Sequence, residues 1–315
     1  MVNKPLKVAF QMDPMETVNI NSDSSFVLML EAQSRGYELW HYLVDDLTYR
    51  DGNVTAFAHP VTVRRELGNH FTFGEGRVIN LADLDVVWMR QDPPFDMAYI
   101  TATHLLELIH PKTLVVNNPA EVRNAPEKLF VTKFLDLMPP TLITRREEDI
   151  RAFRVDHGEI IIKPLYGNGG AGVFHLRKDD SNLGSLMEMF LENSREPLMV
   201  QQFLPEVVQG DKRVILVDGE AVGAINRIPA KGEIRSNLVA GGTAIQSNLT
   251  PREQEICARL KPELKKRGLI FVGIDVIGDW LTEINVTSPT GLPSVNKFDG
   301  VNLEAVIWDA LETKL

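Results

Sequence analysis

An α/β fold with a doubly wound N-terminal domain is what this chain predicts, and three observations predict it. Helix-period and strand-like segments alternate as far as about residue 120. The run DVVWMR (85–90) and the run at 113–117 are apolar through their centres, as strands buried on both faces are. The 315 residues are enough for two or three domains with substantial cores.

The elements follow in order. Residues 7–10 read as a first strand ending at Asp13-Pro14, and 23–35 as a helix capped by Ser22 or Asp23 and stopped by Gly36. Helical spacing returns at 97–109, between the two buried-type strands. Beyond the carboxyl ends of such strands, ligands bind in doubly wound sheets. Asp13 and Arg90 lie just past strand ends, so both are substrate-site candidates, with loop capping and surface pairing as the alternative. A second region, 125–203, holds a helix at 126–136, a strand at 141–144, a helix at 147–156 and a strand at 159–163. A third, 204–315, carries a hairpin over 213–227 around Asp218-Gly219 and a polar Gly-rich loop at 229–243. A helix at 251–267, a second hairpin and a last helix from Asn302 complete it. The boundaries are therefore set at 1–124, 125–203 and 204–315.

Composition narrows the function. The chain is 44% hydrophobic and 24% charged, ordinary for a globular protein. With 33 basic against 43 acidic residues its net charge is -10, which argues against a broad nucleic-acid surface while leaving room for local phosphate pockets. No apolar run has the length of a membrane span, and the first residues lack a signal-peptide core; a cytoplasmic protein is expected. Cys257, the single cysteine, fits a reducing compartment and a small buried core role on its helix.

The segment GIDVIGDWLTEINVTSPTG (273–291) carries the sharpest chemistry. It places Asp275, Glu283 and Asn285 in strand-like apolar surroundings, where a bare carboxylate is costly. A hard cation such as Mg²⁺ offsets the charge and takes carboxylate and amide oxygens as ligands. Glu283 and Asn285 share a strand face. A two-residue turn at Gly278-Asp279 would put Asp275 on the opposite face; a three-residue loop or a bulge would bring it opposite Glu283. An edge hairpin with its polar residues in water is the alternative.

GNGGAG (167–172) matches G-x-G-x-x-G but is followed by VFHLR, a strand pattern. The dinucleotide fingerprint must open a helix, so that reading is rejected. A Gly-rich loop between strands can still cover phosphates with its N–H groups, with Lys163 supplying charge. A flexible hairpin tip with a snorkelling lysine is the alternative.

The strand lysine, the strand-to-strand Gly-rich loop, the strand ending in QQFLPE, then DKRV and the D…E.N cluster recur in this order in one superfamily. Together with MDP (12–14), MR.DPPFD (89–96), EKLF (127–130), GDKRV, RSNL.AGG and the 273–291 segment, they make the chain resemble a prokaryotic-type glutathione synthetase of the ATP-grasp superfamily over nearly its whole length. The resemblance implies an N-terminal substrate-binding domain followed by two ATP-grasp subdomains, a small lid and a C-terminal one with the metal site. It implies ATP-dependent ligation of γ-glutamylcysteine with glycine through an acyl phosphate, releasing ADP and phosphate. It also implies Mg²⁺, which Mn²⁺ could replace, and a homo-oligomer, dimer or tetramer, with no nucleic-acid or membrane partner.

By the same resemblance Lys128, Lys163 and the lid glycines Gly167, Gly169 and Gly170 would hold ATP phosphates. Gln201, Gln202, Phe203 and Leu204 would form the adenine hinge, and Asp211 would take the ribose. Asp275, Glu283 and Asn285 would hold the metal. Arg213 and Arg227 would stabilise the transferring phosphoryl group. Arg235, Asn237, Gly241 and Gly242 would lie in a closing loop, and Ser288 and Thr290 would place glycine. Two features stand out. A two-residue turn at Asp218-Gly219 would send Arg213 and Arg227 to opposite faces, so a longer loop or a bulge is required. Pro293 and Ser294 stand where the family has an Arg-Glu pair, and Phe203 where tyrosine is frequent. Another ATP-grasp carboxylate–amine ligase and a turnover-deficient nucleotide-binding regulator are the competing readings.

Overall fold

A computed structural model describes residues 5–167, 169–237 and 241–315, so position 168 and positions 238–240 of the two Gly-rich loops lie outside the described residues. The first strand β1 (Lys7–Gln11) feeds α1 (Ser24–Ser34), whose N-cap Asp23 accepts from the Phe26 N–H at 2.7 Å. Next come β2 (Glu38–Tyr42), β3 (Leu47–Arg50), β4 (Asn53–Val63), β5 (Phe71–Phe73), β6 (Arg77–Asn80) and β7 (Val86–Met89). Then α2 (Met97–Glu107), capped by Asp96, leads to β8 (Leu114–Val116). The order is β3-β4-β2-β1-β7-β8, with β5 and β6 also paired to β4. Pairings β2-β1-β7-β8 are parallel, and α1 and α2 bury into separate clusters, so this part is doubly wound as expected. The antiparallel extension β3–β6 was not expected. Its signal is the alternating burial of NVTAFAHPVTV on β4.

After α3 (Pro119–Arg123), the helix expected at 126–136 is a correction. Only α4 (Glu127–Phe130) is α-helical, followed by a 3₁₀ turn at Val131–Lys133. The Thr132 hydroxyl donates to the Leu129 carbonyl at 2.7 Å, competing locally with helix hydrogen bonding. The second sheet holds β9 (Thr141–Thr144), β10 (Ile160–Pro164), β11 (Phe174–Leu176) and β12 (Leu198–Gln202) in the antiparallel order β11-β10-β12-β9. Its covering helices are α5 (Glu147–His157) and α6 (Leu183–Asn193), the latter missed from sequence. Period two divides β10: Ile160 and Ile162 enter the core, while Ile161 and Lys163 face a cavity.

The third sheet holds β13 (Asp211–Val217), β14 (Glu220–Ile228), β15 (Thr243–Gln246), β16 (Phe271–Ile277) and β17 (Trp280–Asn285), in the order β15-β14-β13-β16-β17. Between β15 and β16 runs α7 (Pro251–Lys266), opened by a Thr250/Glu253 capping box. The chain ends in α8 (Leu292–Asp299) and α9 (Leu303–Glu312). Pro293 falls in the first turn of α8, where a missing N–H leaves nothing unsatisfied.

The first and third sheets share their cores. Ala9 and Met89 cluster with Val214 and Ile274, while Phe10 and Trp88 cluster with Ile215, Phe271 and Trp308. The buried Asn117 side chain accepts from the N–H groups of Ile270 and Phe271 (2.7 and 2.9 Å) and donates to the carbonyls of Phe271 and Val286 (2.7 and 2.8 Å). The second sheet has its own core of Ile150, Ile160, Ile162, Leu176, Leu186 and Val200. Among the described residues no helix is long and apolar enough to cross a membrane.

Candidate active site

The second and third sheets, α4 and the Asp92-Pro93 loop after β7 enclose one cavity of about 330 Å³. Two β-bulges decide what faces it. In the β16–β17 hairpin the turn has two residues, Gly278 and Asp279, since Ile277 pairs with Trp280. The register then slips at Thr282, so Asp275 pairs with Glu283 and Gly273 with Asn285. In the β13–β14 hairpin Val217 pairs with Glu220, and the slip at Val222 brings Asp211 opposite Arg227 and Arg213 opposite Ile225. Each bulge supplies the extra residue that a two-residue turn lacks, and all the charged side chains reach one face.

That face is a lattice of paired charges. Asp275 receives Arg213 through both oxygens (Nε to Oδ1 2.5 Å, Nη2 to Oδ2 3.0 Å), and Arg227 Nη2 lies 3.0 Å from Oδ1. Burial alone would raise the Asp275 carboxyl; Arg213 and Arg227 outweigh it and hold the carboxyl well below the usual range. Arg227 also donates to Asp211 Oδ2 at 2.5 Å, and the Ser236 hydroxyl donates to the same oxygen at 3.0 Å. Burial nevertheless pushes Asp211 up to about 6. Asp211 thus joins the arginine cluster through Oδ2, and it lines the cavity with Oδ1 left without a partner.

Glu283 lies 3.6 Å from Lys128 Nζ and 3.5 Å from Lys163 Nζ. Burial raises its carboxyl, and the two lysines overcome this and lower it. Lys128 also donates to the Gly167 carbonyl at 2.6 Å, tying α4 to the Gly-rich loop, and pairs with Glu127. Glu127 was missed from sequence although it stands in the quoted EKLF. Burial, and then Glu283, push its carboxyl up to about 7 against the pull of Lys128.

A hard divalent cation fits Glu283 and Asn285: a carboxylate and an amide oxygen two apart on one strand, both lining the cavity, with the Asn285 amide nitrogen buried and unpartnered. Asp275 fits less directly, because guanidinium groups already take both its oxygens. Among the described residues there is no group of three or more His, Cys, Asp or Glu placed to hold a metal.

Gln201, Gln202, Phe203 and Leu204 line the cavity where the second sheet meets the third, with the Gln202 and Phe203 N–H groups taken by Pro140 O and Glu159 O. Phe203 stacks on His175 with ring centroids 4.0 Å apart. The loops expected to close also meet. Gly170, at φ +76°, lies against Arg235 and Asn237, and an added Cβ would come within 2.6 Å of the Asn237 amide nitrogen. Gly169, Ser288 and Thr290 line the cavity too, and the Thr290 carbonyl accepts from Arg213 Nη1 at 3.3 Å.

Asp13, Arg90, Gly241 and Gly242 do not line it. Arg90 is buried, with Nε on the Ser25 hydroxyl (2.9 Å), Nη2 on the Pro289 carbonyl (3.0 Å) and Nη1 without a partner. It struts the first sheet against the 288–291 turn. Asp13 accepts from the Asp92 N–H at 2.8 Å and so shapes the next turn. Gly242 packs on the Ser236 carbonyl too closely for any side chain. The cavity wall at this end is instead Asp92 and Pro93, from the quoted DPP.

Family models for the prokaryotic glutathione synthetase N-terminal domain and ATP-grasp domain match residues 6–123 and 127–300. The chain belongs to the prokaryotic glutathione synthetase family. It is 59% identical to the glutathione synthetase of Brucella melitensis over 309 residues, covering 98% of this chain and 99% of the relative. It is 44% identical to that of Shewanella oneidensis over 312 residues, again 98% and 99%. Among solved structures the D-cycloserine synthetase DcsG superposes with a TM-score of 0.68 at 15% identity, over 98% of this chain and 99% of that one. The ATP-grasp ligase PsnB with minimal precursor gives 0.64 at 17%, over 99% of both. The fold is ATP-grasp, as the family's sequence pattern implied.

Proposed function

We propose that this chain joins γ-glutamylcysteine to glycine at the expense of ATP, giving glutathione, ADP and phosphate. The observation that carries the reading is the convergence of Lys128 and Lys163 from one side and Arg213 and Arg227 from the other on a single cavity. Four cations around a small space suit a phosphoryl group moving onto a carboxylate, in which charge spreads over oxygens and positioning does the chemistry.

The roles divide by element. Lys128, Lys163 and the glycines at 167, 169 and 170 grip the phosphates, and the 201–204 hinge takes adenine. Arg213 and Arg227, held side by side by Asp275 and Asp211, receive the developing charge and then the acyl phosphate. Glu283 and Asn285 would hold Mg²⁺, which neutralises phosphate charge when bound. Ser288 and Thr290 place glycine for attack on the acyl carbon, and the loops at 167–172 and 229–243 close to keep water off. The three-part division at 1–124, 125–203 and 204–315 belongs to the same reading, as do a cytoplasmic location and a homo-oligomer. Light scattering tests the last.

The deciding experiment follows ADP release with γ-glutamylcysteine and ATP-Mg²⁺, with and without glycine. Glycine-dependent ADP and glutathione in equal amounts support the proposal. Turnover only with a different acceptor would move the chain to another carboxylate–amine ligation, and no turnover with any acceptor would point to a regulator.

A further inference from the structure

Four carboxylates of the cavity have cationic partners within the protein: Glu127 with Lys128, Asp211 with Arg227, Asp275 with Arg213 and Glu283 with Lys163. Asp92 lines the same cavity and differs. Among the described residues no Lys or Arg nitrogen lies within ion-pair distance of it. Burial raises the Asp92 carboxyl; the Arg90 charge, acting through space while its own hydrogen bonds go to Ser25 and Pro289, and a hydrogen bond from Ser288 oppose the rise without reversing it. The Asp92 backbone is nevertheless fixed, because its N–H donates to Asp13 Oδ2 at 2.8 Å and the Arg90 N–H donates to the Gln11 carbonyl at 2.8 Å. The residue stands just past β7 where the parallel strand order reverses between β1 and β7, the place where such sheets present ligand-binding groups.

We infer that Asp92 binds the α-ammonium of the γ-glutamyl end of the acid substrate and so sets which acids enter the reaction. The inference rests on the proposed ligation. A rigidly placed carboxylate in a closing cavity loses water, and a cation from the ligand compensates that loss. Two substrate ammonium groups are available. Glycine's must shed its proton before attack, and a carboxylate gripping it would stabilise the unreactive form. The γ-glutamyl ammonium stays charged throughout, so it is the partner that Asp92 can hold without opposing the chemistry.

The test compares γ-glutamylcysteine with N-glutarylcysteine, which lacks only that amine, in the wild-type chain and in Asp92→Asn. Wild type should use the des-amino acid about 10- to 100-fold less efficiently in kcat/KM, the scale of one charge-assisted hydrogen-bonded pair. Asp92→Asn should raise the γ-glutamylcysteine KM by a similar factor and treat both acids alike, with the ATP and glycine KM values within about twofold of wild type. Asp92→Glu should recover part of the discrimination. A discrimination that persists in Asp92→Asn overturns the inference, as does a variant whose glycine KM alone rises. Unchanged ATP KM reports that the variant is folded. Failure of wild type to make glutathione at all would strike the ligase reading rather than this one.

Discussion

The second sheet and the pair formed by the first and third differ in how they are held. The first and third share two apolar clusters and are pinned by Asn117, which spans them with four buried hydrogen bonds. The second has an apolar cluster of its own and meets the others through contacts such as Lys128 with Gly167, Lys163 with Glu283 and the Tyr166 ring stacked on Phe95. A separate core lets a unit move as a body, since opening it exposes little apolar surface. A shared core makes a platform. The arginine–carboxylate lattice sits on the platform, and Lys163 with the Gly-rich loop sits on the separately cored sheet. In the proposed ligation this division would keep the geometry of phosphoryl transfer rigid and leave access for ATP adjustable.

Four measurements can break or sharpen that contrast. The largest effect is expected from Glu283→Gln on the platform, which keeps volume but removes the charge facing Lys128, Lys163 and the proposed cation. Turnover should drop at least about 100-fold in a variant that still folds, although losing the partner of two buried lysines lowers its melting temperature. Near-normal turnover in saturating Mg²⁺ would refute the metal role.

Ile162→Ala empties part of the second sheet's core and should cost about 2–5 kcal/mol. Hydrogen exchange should quicken across 141–202 and leave β13 and β16 protected. Uniform loss of protection would mean that the second sheet is not an independent unit. Asn117→Ala orphans the N–H groups of Ile270 and Phe271 at about 1–3 kcal/mol for each left unsatisfied, a cost that relaxation or water reduces. Here exchange should quicken on both sides of the platform, at β8 and β16 together, and a change confined to one side would deny the pin its role.

The smallest effect concerns pH. The Glu127 carboxyl rises from 4.5 to about 7 through burial and Glu283, so between those values the unfolded chain is ionised there while the folded chain keeps the proton. The folded state binds more protons, and this group's contribution to stability must fall as pH rises from about 4.5 to about 7. Thermal scans of wild type should lose stability relative to Glu127→Gln across that window. Parallel curves would place Glu127 in a more hydrated setting.

Sequence patterns revealed most of the site because its chemistry is written in short strings. EKLF, IIIKP, QQFL, DKR and the D…E.N segment each place a side chain on the cavity that the residue type alone suggests. Asp92 and Glu127 lay inside quoted motifs but carried no signal of their own, because an acid in a loop and an acid beside a lysine usually meet solvent. The periods of β4 (53–63) and of α6 (Leu183, Leu186, Met187 and Phe190) are legible in the sequence, while β3, β5 and β6 are too short to show one.

What the sequence determined by itself is the α/β class, the family and the kinds of groups at the site, since these depend on local periodicity and residue chemistry. It also posed two geometric demands, at Asp275/Glu283 and at Arg213/Arg227, that it could not answer. The turns do have two residues, and only cross-strand pairing reveals the bulges at Thr282 and Val222 that turn the charges to one face. Partnership was likewise decided in three dimensions. Arg90 went to Ser25 and Pro289, and Asp211 to Arg227, because a buried charge takes whichever partner the packing brings within about 3 Å, however far away it lies along the chain.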